Sequence, residues 1–130
     1  MTPHAGELAA LLGANREAVA RDPLAALRET ARRFGAAVMV KGATSHLIAG
    51  DTCRAYPGSG QGLAVSRSGD VLAGLIAGLG GQGLAPLQAA AWGIWLHGEA
   101  GRRLSETMGP IGYLARELAP LAPGLMRGVR

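Results

Sequence analysis

The chain has 130 residues, 48% of them apolar and 17% charged, a balance that permits a buried core and excludes an intrinsically disordered chain. The formal net charge of +4 suits an anionic ligand. The cations are mostly arginines scattered along helical stretches (Arg16, Arg28, Arg32, Arg33, Arg102, Arg103), with no lysine-rich tail or aromatic-interleaved basic patch, which argues against nucleic-acid binding. Cys53 is the only cysteine, so an internal disulfide and a thiol-paired zinc site are both excluded. A reducing, cytoplasmic compartment is expected. The opening Met1-Thr2-Pro3-His4 lacks the basic-then-apolar order of a signal peptide. The longest apolar run, residues 71–79, is far short of the ~20 residues a membrane helix needs.

In chain order, the first few residues read as the end of a strand entering a loop. Residues 7–12 predict a short helix closed by Gly13, and Asn15 can cap a further turn. Asp22-Pro23 is an N-cap followed by proline at the first helical position. Leu24, Leu27, Ala31 and Phe34 then recur at helical spacing until Gly35 ends the helix. Residues 36–40 form a short apolar run, as in a buried strand. Residues 45–49 and 53–56 flank Gly50-Asp51 and predict a hairpin.

Residues 57–62 read as a glycine-rich loop. Within it, Gly58-Ser59-Gly60-Gln61-Gly62 lacks the spacing of a dinucleotide fingerprint. Residues 69–79 predict a buried helix whose Gly74 and Gly78 allow close packing. Pro86 opens a second long helix, to about Glu106, apolar on nearly every side over residues 89–96. It is expected inside the fold, with Trp92 and Trp95 in the core. Gly109-Pro110 breaks it, and residues 111–118 predict one more short helix. This order points to α/β architecture. Only three or four strands are visible and two of them form a hairpin, so the chain is expected to be the C-terminal part of a larger α/β domain.

Three stretches carry chemistry. The first is Ser66-Arg67-Ser68-Gly69-Asp70-Val71-Leu72-Ala73-Gly74, a small-residue loop running into an apolar helix. The amides of a helix's first turn and the positive end of its dipole attract an anion, and Ser68 and Gly69 keep side chains out of the way. Asp70 is then either a helix-favouring carboxylate or a base that accepts a substrate hydroxyl's proton while the amides hold phosphoryl charge.

The second is Lys41-Gly42-Ala43-Thr44-Ser45, directly after the apolar strand, where ligands bind in open α/β sheets. Lys41 and the two hydroxyls can meet phosphate. The spacing is not that of a P-loop, and the alternative is a plain turn between strands. The third is Thr2-Pro3-His4-Ala5-Gly6-Glu7. His4 and Glu7 either reach a ligand or a water-bound metal, or serve as capping groups. His97, among apolar residues in mid-helix, reads as packed and hydrogen-bonded rather than catalytic.

In this order and at these separations the three stretches resemble the C-terminal half of ribokinase-like enzymes, and among them the NAD(P)H-hydrate dehydratase family. The segments His97-Gly98-Glu99-Ala100-Gly101 and Gly109-Pro110-Ile111-Gly112 fit the same pattern, so the resemblance covers essentially the whole chain. It implies an α/β fold, the C-terminal portion of a ribokinase-like three-layer α/β/α sandwich. Residues 1–130 would then be the C-terminal part of a single nucleotide-binding domain whose N-terminal half is absent.

The activity implied is ADP-dependent dehydration of (S)-NAD(P)H-hydrate to NAD(P)H, a repair of damaged nicotinamide cofactor that releases AMP and phosphate. Carried over by position, Lys41, Gly42, Ala43, Thr44, Ser45 and Gly69 would contact the adenine nucleotide. Ser68 and Gly69 would form the anion hole. Asp70 would be the catalytic base and contact the hydrate, and His4 would lie against the hydrate. Glu7 would orient Mg2+ through water. Relatives tend to assemble as homo-oligomers. Two other implications stand beside this one: a ribokinase-like kinase for a hydroxymethylpyrimidine or thiazole alcohol, and an inactive nucleotide-binding fragment. His4-Ala5-Gly6-Glu7 favours the dehydratase, because such kinases more often place asparagine first. The chain departs from the family at Arg67, where members usually carry glycine. An arginine there would obstruct the anion site, adopt a backbone angle easier for glycine, or turn outward.

Overall fold

Contacts divide the chain into two units, Met1–Pro57 and Gly58–Arg130, and the computed structural model describes residues 1–42, 44–57 and 67–127. Ala43, Ser66 and the glycine-rich loop expected after Pro57 lie outside the described residues.

In the first unit, side-chain caps start three helices. His4 caps α1 (Ala5–Leu12), Asn15 caps α2 (Arg16–Arg21), and Asp22 caps α3 (Pro23–Phe34). The Asn15 and Asp22 carboxamide and carboxylate oxygens accept from Glu17 N at 2.7 Å and Ala25 N at 2.9 Å. Gly13 and Gly35 end α1 and α3 with φ of 64° and 58°, the left-handed conformation that glycine adopts without steric cost.

Three strands follow: β1 (Val38–Val40), β2 (Thr44–Ala49) and β3 (Thr52–Pro57), all antiparallel, in the order β1-β2-β3. The Ala49↔Thr52 pair closes the expected two-residue turn at Gly50-Asp51. Alternation sends Val38, Val40 and Ile48 into a core shared with Leu8, Val19, Leu27 and Ala31 of the helices. Leu24 and Phe34, expected on the buried stripe of α3, are exposed, and Thr30 is buried in their place with its hydroxyl donating to Ala26 O at 2.8 Å.

The first residue pairs with β1. Met1 N donates to Ala37 O at 2.7 Å, and Met39 N donates to Met1 O at 2.9 Å. One residue bonded on both sides of Val38 in this way is a parallel bridge, on the edge of β1 not taken by β2. The start of the chain is therefore strand-like, as its sequence suggests.

In the second unit, α4 (Ser68–Gly81) packs on α5 (Pro86–Met108). Leu79, Leu96, Ala100 and Leu104 build its core with Tyr113, Leu118, Ala122 and Leu125 from the C-terminal segment. Three expectations are corrected here. First, Gly74 and Gly78 are exposed, and a Cβ at either would meet nothing within 4 Å. They line an open groove of about 380 Å³ rather than a helix contact. The close approach is made at Gly93, where a Cβ would lie 2.4 Å from Cγ1 of Ile76.

Second, Trp92 and Trp95 are not core: they are 37% and 40% exposed and meet edge to face at 5.7 Å between centroids. The buried stripe of α5 is carried by Ala89, Ala90, Gly93, Leu96, His97, Ala100 and Leu104 at helical spacing, which leaves both indoles on the flank. Third, residues 111–114 are not helical. Tyr113, 2% exposed, anchors that segment, and two 3-10 turns (Ala115–Glu117, Ala119–Leu121) and α6 (Ala122–Arg127) come after it.

On the exposed side of α5, Glu99 accepts from Arg102 at 2.5 Å and from Arg103 at 3.3 Å, and Arg102 also pairs with Glu106. The hydrogen bond from Arg102, aided by Arg103, holds the Glu99 carboxyl at about 2, below its ordinary 4.5.

Gly93→Ala should destabilise the second unit by about 1–3 kcal/mol, because Ile76 must leave its rotamer or the helices must separate. Urea unfolding checks this. Glu99 predicts an acid limb. A carboxyl depressed on folding contributes stability that is complete above 4.5 and is lost as pH falls toward about 2. Between those values the stability of Glu99→Gln should fall less steeply with decreasing pH than that of the parent, as read by thermal melts.

Candidate functional site

In the first unit, the candidate residues gather at one end of a ladder. The parallel bridge makes Met1 and β1 run the same way. Residues 2–4 and Lys41-Gly42 therefore leave from the same, carboxyl end. That end of parallel-running segments is where ligands lie in open α/β sheets.

His4 Nδ1 accepts the amides of Gly6 and Glu7, both at 3.1 Å, and Glu7 Oε2 accepts His4 N at 2.9 Å. This is a capping box with histidine in the first position. An Nδ1 that accepts carries no proton, so the neutral ring has its hydrogen on Nε2, 3.4 Å from Glu7 Oε1. The His4 and Glu7 side chains are 70% and 59% exposed, so their outer atoms face solvent while the inner atoms hold α1. Gly6 matters to the cap, because a Cβ there would lie 3.1 Å from the His4 ring. Glu7 also borders an open depression of about 510 Å³ with Met1, Thr2 and Pro3.

Lys41 and Gly42 are exposed in the β1–β2 connection. Thr44 and Ser45 belong to β2 itself, opposite Pro57 and Tyr56. Lys41, Gly42 and Thr44 are thus exposed where the chain passes between two antiparallel strands.

In the second unit, α4 begins at Ser68 after Arg67, whose φ of 68° and ψ of 6° place it in the left-handed region. Among the described residues it is the one non-glycine with positive φ. Its carbonyl accepts Asp70 N at 3.1 Å and Val71 N at 3.4 Å, and its side chain makes no cap hydrogen bond. Arg67 is exposed, so its side chain turns outward and its backbone takes the angle glycine adopts more easily. Ser68 is buried, Gly69 is half-buried, and the Asp70 carboxylate is exposed in the first turn. Behind that turn, His97 Nε2 lies 2.8 Å from the Ser68 carbonyl oxygen. The sequence foreshadows a hydrogen-bonded His97 but not its partner. One turn before His97, Gly93 lets α5 close on Ile76 of α4. Among the described residues, no cluster of three or more His, Cys, Asp or Glu could hold a metal ion, and no helix is long and apolar enough to cross a membrane.

The capped α1, the strand end and the glycine-bearing start of α4 belong to an α/β fold of ribokinase type. Structural likeness agrees. Bacillus subtilis YxkO is 25% identical with a TM-score of 0.88, over 99% of this chain and 48% of that one. A ribokinase-like superfamily protein from Enterococcus faecalis is 25% identical with a TM-score of 0.83, over 98% and 43%.

Residues 1–123 match the NAD(P)H-hydrate dehydratase family, and the chain belongs to it. An ADP-dependent (S)-NAD(P)H-hydrate dehydratase of Xanthomonas campestris is 42% identical, over 97% of this chain and 44% of its own length. One of Neisseria meningitidis is 43% identical, over 94% and 42%. The chain thus spans less than half the length of these relatives.

Arg67→Gly should raise stability by about 0.5 kcal/mol. Relief of ~1–2 kcal/mol of left-handed strain is offset by ~0.5–1 kcal/mol of extra glycine entropy in the unfolded chain. A higher urea midpoint at unchanged slope is the expected result.

Proposed function

We propose that the chain is the C-terminal part of a single nucleotide-binding domain that dehydrates (S)-NAD(P)H-hydrate to NAD(P)H with ADP as phosphoryl donor. The hydrate's ring hydroxyl attacks the β-phosphorus of ADP and AMP leaves. Loss of the new phosphate ester as inorganic phosphate, with a ring proton, then restores the double bond. Asp70 takes the hydroxyl proton as general base. The first-turn backbone at Ser68 and Gly69 offers its amides and dipole to the phosphoryl charge. Lys41, Gly42, Ala43, Thr44 and Ser45 contact the adenine nucleotide, and His4 lies against the hydrate.

The observation that carries this reading is the exposed Asp70 carboxylate in the first turn of α4, in a chain 42% identical to a relative named as such a dehydratase. Magnesium would neutralise phosphoryl charge during transfer. Glu7 suits that ion only through water, as a single carboxylate with one oxygen already in the capping box. The nucleotide's phosphates would be its direct ligands.

A second reading, nucleotide binding without turnover, is favoured by Arg67 in place of the family's glycine. The two separate in one experiment. The chain, alone and mixed with the portion of the Xanthomonas relative outside the match, is titrated with ADP and AMP and then incubated with hydrated NADH, ADP and magnesium. Recovery of reduced-nicotinamide absorbance with stoichiometric AMP is expected. Binding without recovery supports the second reading. Phosphorylation of a pyrimidine or thiazole alcohol instead would assign a kinase. In the active mixture, Asp70→Asn should lower the rate about 100-fold or more and leave ADP affinity within a few-fold.

A further inference from the structure

We propose that His97 is a positioning residue for the reaction, holding the first turn of α4 in the geometry that presents Gly69 and Asp70. The inference rests on the reading of that turn given under Proposed function.

Three helices of the first unit start on a side-chain cap, whereas α4 starts on a left-handed arginine with no side-chain cap. A restraint on its first turn comes from α5. The His97 ring is 4% exposed, as is Ser68, and Nε2 sits 2.8 Å from the Ser68 carbonyl oxygen. A carbonyl oxygen only accepts, so Nε2 carries the proton and the tautomer is set by this contact. In an α-helix that carbonyl also faces the amide four residues on, and its second lone pair is available to the ring. The bond therefore tightens the turn rather than opening it. It acts two residues before Asp70 and one before Gly69.

The approach depends on α5 carrying small residues at the contact. Gly93 sits against Ile76 of α4, one turn before His97, and Gly98, Ala100 and Gly101 follow it. The Nε2 edge of the ring is thereby delivered to the Ser68 carbonyl, so a residue that packs without donating should lose this restraint.

The test is amide hydrogen exchange on the whole chain, with nitrogen NMR of the ring and three variants. In the parent, the ring should be protonated on Nε2. In His97→Leu, amides 69–72 should exchange about tenfold faster, the loss expected for one buried hydrogen bond, with amides at the far end of α5 near Leu104 unchanged. His97→Gln, which keeps a donor of similar reach, should return exchange to within about threefold of the parent. Should the leucine variant not fold, His97→Asn, whose amide is one methylene shorter, takes its place.

In the active mixture, the leucine variant should lower kcat with the KM for ADP unchanged, and glutamine should recover it. The proposal fails if Nε2 is unprotonated, if exchange at 69–72 is unchanged, if all helices of the unit exchange faster alike, or if glutamine restores nothing. A parent that neither binds nucleotide nor repairs hydrate sinks the functional reading instead, and the exchange pattern still decides whether His97 holds the turn.

Discussion

A helix begins with amides that its own carbonyls cannot satisfy, and the residue before α4, unlike those before α1, α2 and α3, lends them no side-chain hydrogen bond. At α1, α2 and α3 the orphan donors are answered by the side chains of His4, Asn15 and Asp22, two or three residues earlier. At α4 the preceding residue, Arg67, gives only its backbone. Its carbonyl takes the amides of Asp70 and Val71, and its backbone sits at a left-handed φ of 68°. On the proposed reading an incoming anion would meet the first turn of α4, and a carboxylate beside it would be tolerable only if it faced a different group. Asp70 is exposed in that turn and Ser68 is buried.

Local signals were legible where one residue decides the outcome. Asp22-Pro23, Asn15, Gly13, Gly35 and Gly50-Asp51 each dictate a cap or a turn through their own chemistry, and each falls where the sequence places it. The errors lie where the outcome depends on which side of an element faces its neighbour. Residues 89–96 are apolar almost all round, so composition could not say that the small side would be buried and the indoles left outside. Volume decides it: α5 meets α4 at Gly93, and an indole at that contact would hold the helices apart. The same reason misplaced the glycines of α4. Gly74 and Gly78 have the spacing of a packing face, but the approach is made by Gly93 on the other helix.

The candidate site was legible as motifs but not as geometry. Sequence order cannot show that Met1 lies alongside Val38 in parallel, the pairing that sends residues 2–4 and Lys41-Gly42 out of the same end of the ladder. Nor can it show that β2 runs antiparallel to β1 with Thr44 and Ser45 already in the strand.

The capping box at α1 shows how one pair of side chains can serve structure and still be available to chemistry. Nδ1 of His4 and Oε2 of Glu7 face the backbone; Nε2 of His4 and Oε1 of Glu7 face outward. Capping thus sets the ring's tautomer and orients the carboxylate before any ligand arrives. A ligand that engages the outer atoms meets groups already held in place and loses less rotamer freedom in binding them. Capping and binding are often treated as competing explanations for a histidine and a glutamate three residues apart. At α1 the first is the means by which the second would be pre-organised.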